Sequence, residues 1–204
     1  MGKQIIQHSL IRTLTKEEIR QAIEHHEWLS IAPEIRPGTV KAANNDVKPL
    51  YCSRRFIYPG NDRFELTFIN YADAYGKAPL VKMVISGHIQ FGSTHAVAEG
   101  AYELDYTADE GFDITILHEG FVQVLNQAPP AEGLNRWEPN VQQNVLHKSV
   151  PAFGLKADEF FKEYDLIYLM NDFLFNGSRN IDGRPFDKPE NRPTNLQIPL
   201  IKKK

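Results

Sequence analysis

Two titratable residues, Glu103 and His118, are the candidates for acid/base chemistry in this sequence. His118 is followed by Glu119 and Gly120 at the expected end of a strand, where a titratable pair could act on a bound substrate. The seven histidines show no metal-ligand spacing, and Cys52 is the single cysteine, so no metal site is expected. The sequence has no nucleophile elbow, Walker loop or dinucleotide fingerprint. We therefore expect no cofactor, and the assignment of catalytic residues stays open.

The stretch from Leu80 to Thr107 predicts a β-hairpin with one apolar face. The turn is placed at Gly92-Ser93, because a two-residue loop that opens with glycine fits a primed hairpin turn. In this register Val81, Met83, Ile85, Gly87, Ile89 and Phe91 face, in that order, Leu104, Tyr102, Gly100, Ala98, Ala96 and Thr94. Long strands with two distinct faces are typical of a barrel or a sandwich, and an apolar wall of this kind can enclose a hydrophobic ligand.

A capping box predicts an N-terminal helix over residues 15–27. Thr15 is its N-cap and Glu18 follows three residues later. Trp28 continues a partial apolar stripe, and we expect it to be a core residue more than a platform for a ligand. Prolines and glycine between residues 31 and 49 predict loop or edge strand. The strand-like runs that follow are joined by short turns, which favours an antiparallel meander.

The Pro-rich segment 128–154 is predicted to be a long loop or lid, because loops of this length are usually functional. Trp137 is read as exposed within it, which leaves a protein-interaction module open as a third function. Short additional helices are expected at residues 120–127 and 157–163. Taken together, the pattern predicts a single domain over residues 1–204, built as one antiparallel β-barrel.

Composition limits the classes of function. The chain has 204 residues, 42% of them hydrophobic, and a formal net charge of −3, so it is expected to be globular and to bind no nucleic acid. No run approaches the length of an integral membrane segment, and the start lacks a secretory signal. A single cysteine fits a reducing compartment, and we expect a cytoplasmic location. The oligomeric state and the possible loss of a leader stay open.

Several ordered motifs resemble the APCDD domain, the family named for the adenomatosis polyposis coli down-regulated protein. They are Trp28-Leu29-Ser30, Glu34-Ile35-Arg36-Pro37-Gly38, Arg55-Phe56, Ile85-Ser86-Gly87 with Gly100, Glu103, Asp105 and Tyr106, and Arg192-Pro193-Thr194-Asn195-Leu196-Gln197-Ile198-Pro199-Leu200. The resemblance implies a lipocalin-like, calycin-type barrel with a hydrophobic cavity. Animal members are lipid-binding, secreted or membrane-tethered antagonists of lipid-modified signalling proteins. They resemble a tandem of two cysteine-rich domains, whereas this chain has a single copy and one cysteine. Their signalling role and extracellular location are therefore not expected of this chain.

Five charged residues fall at positions matched by this resemblance: Glu34, Arg36, Arg55, Glu103 and Arg192. On otherwise apolar strands they could form a buried ion-pair cluster, which either closes one end of the barrel or anchors the polar head of a ligand. The expected ligand-binding residues are Trp28, Arg36, Arg55, Met83, Ile85, Tyr102, Glu103, Leu104 and Arg192.

The sequence therefore predicts a protein that binds a hydrophobic small molecule or a lipid acyl chain inside a β-barrel. The alternative is a cofactor-independent cyclase or isomerase that acts on an apolar biosynthetic intermediate by confinement, with Glu103 or His118 as the acid/base group. The identity of the ligand and the occurrence of chemistry stay open.

Overall fold

The computed structural model describes residues 12–41 and 47–204. The helices are α1 (Lys16–Ile23) and α2 (Glu119–Leu125), and the strands are β1 (Glu27–Ser30), β2 (Glu34–Lys41), β3 (Val47–Gly60), β4 (Arg63–Tyr71), β5 (Pro79–Thr94), β6 (Tyr102–Ile116), β7 (Gln142–Asn144), β8 (Phe161–Met170), β9 (Phe173–Asn176) and β10 (Leu200–Lys202). Parts of the predicted domain, residues 1–11 and 42–46, lie outside the described residues. In the part of the chain that is described, no helix is long and apolar enough to cross a membrane.

The strands form one large antiparallel sheet whose hydrogen bonding closes into a ring. The order is β1-β10-β9-β8-β6-β5-β4-β3-β2, and β7 attaches to β6. The ring closes because β1 pairs with β10 on one side and with β3 on the other. The mainly β, antiparallel architecture predicted from the sequence is confirmed. The region 31–49, predicted as loop or edge strand, supplies β2 at one end of the order and the start of β3.

The hairpin prediction has the right strands and the wrong register. Its turn is not at Gly92-Ser93, because β5 continues to Thr94 and a longer loop leads to Tyr102. The loop is closed by a hydrogen bond from the His95 amide to the Ala101 carbonyl. Tyr102 faces Thr94 instead of Met83, Leu104 faces Phe91 instead of Val81, and Met83 and Ile85 face Ile114 and Phe112. Leu104, Met83 and Ile85 change partner by an even number of positions, so they keep their predicted face. Tyr102 changes partner by an odd number, and the irregularity between Phe91 and Thr94 compensates for it, so Tyr102 is still buried.

The inner face of the ring is the face that carries the core. On β3, alternate residues Cys52, Arg54, Phe56 and Tyr58 are buried. Facing residues in the neighbouring strands extend this face, since residues directly opposite each other in a sheet share a face. Of the predicted apolar hairpin face, Val81, Ile85, Ile89, Tyr102 and Leu104 belong to it. They lie in one buried cluster with Phe56 and Tyr58, and Tyr106, Phe112 and Ile114 of β6 join the same cluster.

Helix α1 confirms the capping box and is shorter than predicted. The Thr15 side chain accepts from the Glu18 amide and the Glu18 carboxylate accepts from the Thr15 amide, as in a reciprocal cap. The helix ends at Ile23 because His25 adopts a left-handed backbone with φ 58°, and Glu27 already belongs to β1. Trp28 is therefore a strand residue, as well as a buried core residue as expected.

The segment 128–154 is less open than predicted. It contributes β7 to the sheet and a 3-10 turn at Pro151–Phe153. Trp137 is buried rather than exposed, and its ring packs on Phe153 at 6.2 Å between ring centroids. The Asn126 side chain donates to the Trp137 carbonyl and accepts from the Trp137 amide. The hypothesis of a protein-interaction module rested on an exposed Trp137, so the buried position of Trp137 removes its support. The helix expected near residue 120 is present as α2, whereas residues 157–163 lead into β8 without a helix.

Candidate functional site

A group of charged side chains lies on the inner face, where β2 joins β3. Glu34 pairs with Cys52 and Arg36 pairs with Leu50, so these residues and Arg54 point to the same side of the sheet. The strand alternation that buries Phe56 also buries Arg54, whose side chain is 4% exposed. A charge in this position is costly unless it finds partners, so the surroundings of these residues are informative.

Glu34 is the centre of this charged group. One carboxylate oxygen accepts hydrogen bonds from Ser30 Oγ at 2.7 Å and Arg54 Nε at 2.9 Å, and the other accepts from Arg36 Nη2 at 2.7 Å. Burial alone would raise the pKa of Glu34, but the guanidinium groups of Arg54 and Arg36 outweigh it and hold that pKa below its usual value. Glu34 is therefore ionised and forms ion pairs with both Arg36 and Arg54.

Arg54 connects this group to a network of neutral polar side chains. Its Nη1 donates to Asn176 Oδ1 at 2.7 Å, and Asn176 Nδ2 donates to the Tyr106 hydroxyl, which lies 2.9 Å from the Tyr58 hydroxyl. Burial raises the pKa of both tyrosines, so neither supplies a negative charge. Burial and the neighbouring Arg36 lower the pKa of Arg54. Among the described residues, Arg54 Nη2 has no hydrogen-bond partner.

Asp165 and Arg179 complete the charged group from the other side of the ring. Asp165 Oδ1 accepts from the amides of Leu166 at 2.7 Å and Gly177 at 2.8 Å. Burial, with a smaller effect of Glu163, raises the pKa of Asp165 to about 7. Burial lowers the pKa of Arg179, and the groups that also act on it are Glu163, Arg36 and Cys52. Arg179 Nε is buried and, within the described ranges, finds no hydrogen-bond partner. We call Glu34, Arg36, Arg54, Asp165 and Arg179 the inner charged cluster.

An apolar surface adjoins the cluster on the same face. The register places Phe68 opposite Arg54, Met83 opposite Phe68 and Ile114 opposite Met83, so one row across four strands begins with a guanidinium and continues with apolar side chains. Phe68 and Met83 are only partly buried, although they point to the inner face. The inner face therefore offers accessible apolar surface beside buried cations.

A separate depression of about 430 Å³ lies beside α1, at the turn between β3 and β4. Its lining is polar and includes Arg20, Glu24, His25 and Asp62. Arg20 is already paired with Asp62 through a 2.7 Å hydrogen bond. A polar and widely open depression does not suit a hydrophobic ligand, so the inner face is the better candidate site.

The family model described as adenomatosis polyposis coli down-regulated 1 matches residues 3–204, which is essentially the whole chain. The chain belongs to this family. The resemblance of the sequence motifs to the APCDD domain is thereby confirmed, and the match includes every segment that supplies the inner charged cluster.

The structure divides the charged residues that carried the APCDD resemblance. Glu34 and Arg36 lie in the inner charged cluster. Arg55 points to the opposite face, where it pairs with Glu27 and Glu65. Arg192 and Glu103 meet outside the ring as well: Arg192 Nη2 donates to Asp105 at 2.7 Å, and Arg192 Nε lies 3.6 Å from Glu103 Oε1. The other predicted ligand contacts are on the inner face: Trp28, Met83, Ile85, Tyr102 and Leu104.

The two acid/base candidates are not near each other. Glu103 lies at the start of β6, where it accepts a hydrogen bond from the Ser93 amide and pairs with Arg192. His118 follows the end of β6 as the N-cap residue of α2 and is exposed. Residues this far apart on one strand are separated by roughly 45 Å of extended chain. They do not form one acid/base pair.

Metal and thiol chemistry find no site in the described ranges. No three residues of the types His, Cys, Asp and Glu come together there as potential metal ligands. Cys52 is a free, buried thiol beside Arg36 and Arg54, and burial raises its pKa. A buried thiol that stays protonated is a poor nucleophile and a poor ligand.

Sequence reasoning missed Arg54, Asp165 and Arg179. In the run Cys52-Ser53-Arg54-Arg55-Phe56-Ile57-Tyr58, Arg54 shares the period-two face of Phe56 and Tyr58, and this signal could have selected it over Arg55. Asp165 and Arg179 gave no comparable signal. They reach the cluster only because the closed ring places β8 and the segment after β9 across its interior from β3.

Proposed function

We propose that this protein binds a hydrophobic small molecule or a lipid acyl chain on the inner face of its ring-like sheet. The observation that carries the proposal is the partly uncovered apolar surface around Phe68 and Met83. Soluble proteins usually cover inward apolar side chains completely, and apolar surface left accessible on a concave face is typical of ligand sites. The ring-like pairing also supports the finer proposal that the sheet is a lipocalin-like barrel.

Binding is favoured over acid/base catalysis by the placement of the candidate groups. Glu103 is engaged with Arg192 and a backbone amide, and exposed His118 lies at the far end of β6. A cyclase or isomerase of the kind considered from the sequence would need an acid or base beside its apolar substrate. The titratable residue that the register places directly opposite Phe68 is Arg54 of the inner charged cluster.

The test is titration with N-phenyl-1-naphthylamine, a neutral dye that fluoresces in apolar surroundings. We expect saturable binding with about one dye per chain, because a single ring encloses one inner face. Met83→Trp should weaken binding by about tenfold, since added volume in a filled site costs on the order of 1 to 3 kcal/mol.

The matched control is Val84→Trp. Val84 is the next residue in β5 and points to the outer face, opposite Thr67 and Asp113. Its substitution should leave dye affinity within about twofold if both variants show the circular dichroism of the wild type. Absence of a saturable site, or equal losses in the two variants, would refute the proposal.

A further inference from the structure

The three arginines of the inner charged cluster have one carboxylate, Glu34, in direct ion pairs with them among the described residues. Arg36, Arg54 and Arg179 come from β2, β3 and the segment after β9. Arg36 and Arg54 share one ion-paired carboxylate, Glu34, whereas Arg179 makes no ion pair within 4.0 Å among the described residues. Asp165 is a weak counter-charge, because its Oδ1 is already occupied by two backbone amides and its pKa is raised to about 7. Glu163 is a further acidic neighbour among the described residues, and it acts on Arg179.

Two buried donors of the cluster are unpaired within the described ranges: Arg54 Nη2 and Arg179 Nε. Guanidinium N–H groups left without an acceptor in the interior are strongly unfavourable, and native proteins rarely retain them. Gln197 Oε1, another buried atom without a partner in this part of the chain, is a neutral acceptor and supplies no charge. The missing partner is therefore an acceptor, and because both unpaired donors belong to guanidinium groups, an anion makes the stronger hydrogen bond to them.

We propose that Arg54 and Arg179, supported by Arg36, bind the oxyanion of an amphipathic ligand, a carboxylate or a phosphate carried on an apolar chain. This inference rests on the proposed function and names its ligand class. The apolar row that starts opposite Arg54 runs over Phe68 and Met83, which lie on the next two strands at about 5 and 10 Å, given the usual strand spacing. A head group at the arginines therefore leaves its chain on that surface.

The experiment measures displacement of N-phenyl-1-naphthylamine from the wild type by three ligands with the same twelve-carbon chain. Dodecanoate and dodecyl phosphate are anionic, and dodecanol is neutral. We expect the anions to bind at least about tenfold more tightly than dodecanol, because a charge-assisted hydrogen bond to a buried donor is lost with the neutral head. The stronger of the two anions identifies the head group as carboxylate or phosphate.

Arg179→Gln is the diagnostic variant, because Arg179 makes no ion pair within 4.0 Å among the described residues and its removal spares the Glu34 contacts. It should lower the affinity for the anions by about tenfold and leave dodecanol and the dye within about twofold. Arg63→Gln is the control, since Arg63 is exposed and pairs with Glu110 on the outer surface. It should change none of these affinities.

The outcomes separate this inference from the proposed function. If the dye binds and the anions show no advantage over dodecanol, the inference is wrong and the proposed function stands. If Arg179→Gln weakens anions, dodecanol and dye equally, Arg179 is structural and the inference is again wrong. If inorganic phosphate alone stabilises the wild type against heat as much as dodecyl phosphate does, the site takes a free anion, not an amphipathic ligand. If no dye binds, the proposed function itself fails.

Discussion

Arg54 and Arg55 are neighbours in β3 and have opposite surroundings. Arg54 lies on the inner face, 4% exposed, with Glu34 and Asn176 as partners and one donor left over. Arg55 lies on the outer face, 36% exposed, between Glu27 and Glu65. Burial lowers the pKa of Arg54, whereas the hydrogen bond with Glu27 raises the pKa of Arg55. An arginine side chain therefore loses hydration on the inner face, whereas on the outer face it pairs with carboxylates and stays in contact with solvent.

This contrast separates a functional arrangement from a structural one. An exposed ion pair contributes little to stability and needs no further explanation. A buried group of guanidinium ions loses hydration that its partners only partly restore, so replacing such a group by apolar residues often stabilises a protein. A cluster that keeps its charges at this cost, with donors unpaired, is a good candidate for a ligand site.

The largest expected effect on this contrast is that of Glu34→Gln. Removing this carboxylate charge leaves Arg36 and Arg54 buried without an ionised partner, and we expect the free energy of unfolding to fall by about 3 to 5 kcal/mol. Urea denaturation measures it. Glu65→Gln, at the outer partner of Arg55, should change the same quantity by less than about 1 kcal/mol. Similar losses in both variants would mean that the two faces do not differ as described.

Asp165→Asn tests the inner cluster through pH. The pKa of Asp165 is raised from 3.8 to about 7 in the folded protein. The unfolded chain therefore loses this proton at lower pH than the folded one, so Asp165 favours folding at low pH and this advantage is lost as pH rises through 7. The wild type should lose about 2 to 3 kcal/mol of unfolding free energy between about pH 5 and pH 8 relative to Asp165→Asn.

The asparagine retains an oxygen for the amides of Leu166 and Gly177, so the comparison isolates the proton. Denaturant unfolding of both proteins across that pH range gives the difference. Parallel pH profiles of wild type and variant would show that Asp165 is ionised in the folded state throughout.

The smallest expected effect is that of Arg55→Ala. Glu27 keeps Lys203 as a partner at 3.0 Å, and the outer face is solvent-exposed, so the free energy of unfolding should fall by less than about 1 kcal/mol. The loss should shrink further in high salt, because exposed charges are screened. A loss above about 2 kcal/mol in urea denaturation would place Arg55 among the structural charges and would weaken the contrast with Arg54.

The hairpin shows how much of the fold is readable from local pattern. The period-two alternation of β5 and β6 assigns Val81, Ile85 and Leu104 to the buried face correctly even though the predicted turn at Gly92-Ser93 is wrong. Alternation depends only on neighbours along the chain, whereas register depends on loop length and bulges. One bulge sits near Gly87, where a Cβ atom would lie 2.0 Å from the Thr107 carbonyl oxygen. A close approach of this kind depends on how two strands pair, so it cannot be predicted from the sequence of either strand alone.

By itself the sequence determined the mainly β class, the capped start of α1, the apolar face of β5 and β6, and membership of the APCDD family. Each of these rests on residues close together in the chain or on ordered motifs along it. Only the tertiary structure decided that Asp165 and Arg179 join Arg54 in one charged cluster. Asn176, 122 residues from Arg54, becomes its hydrogen-bond partner only when the ring closes. Partners so far apart in the sequence come together only through the pairing of strands from both ends of the chain. The free energy of a buried charge depends on those partners more than on its neighbours in the sequence.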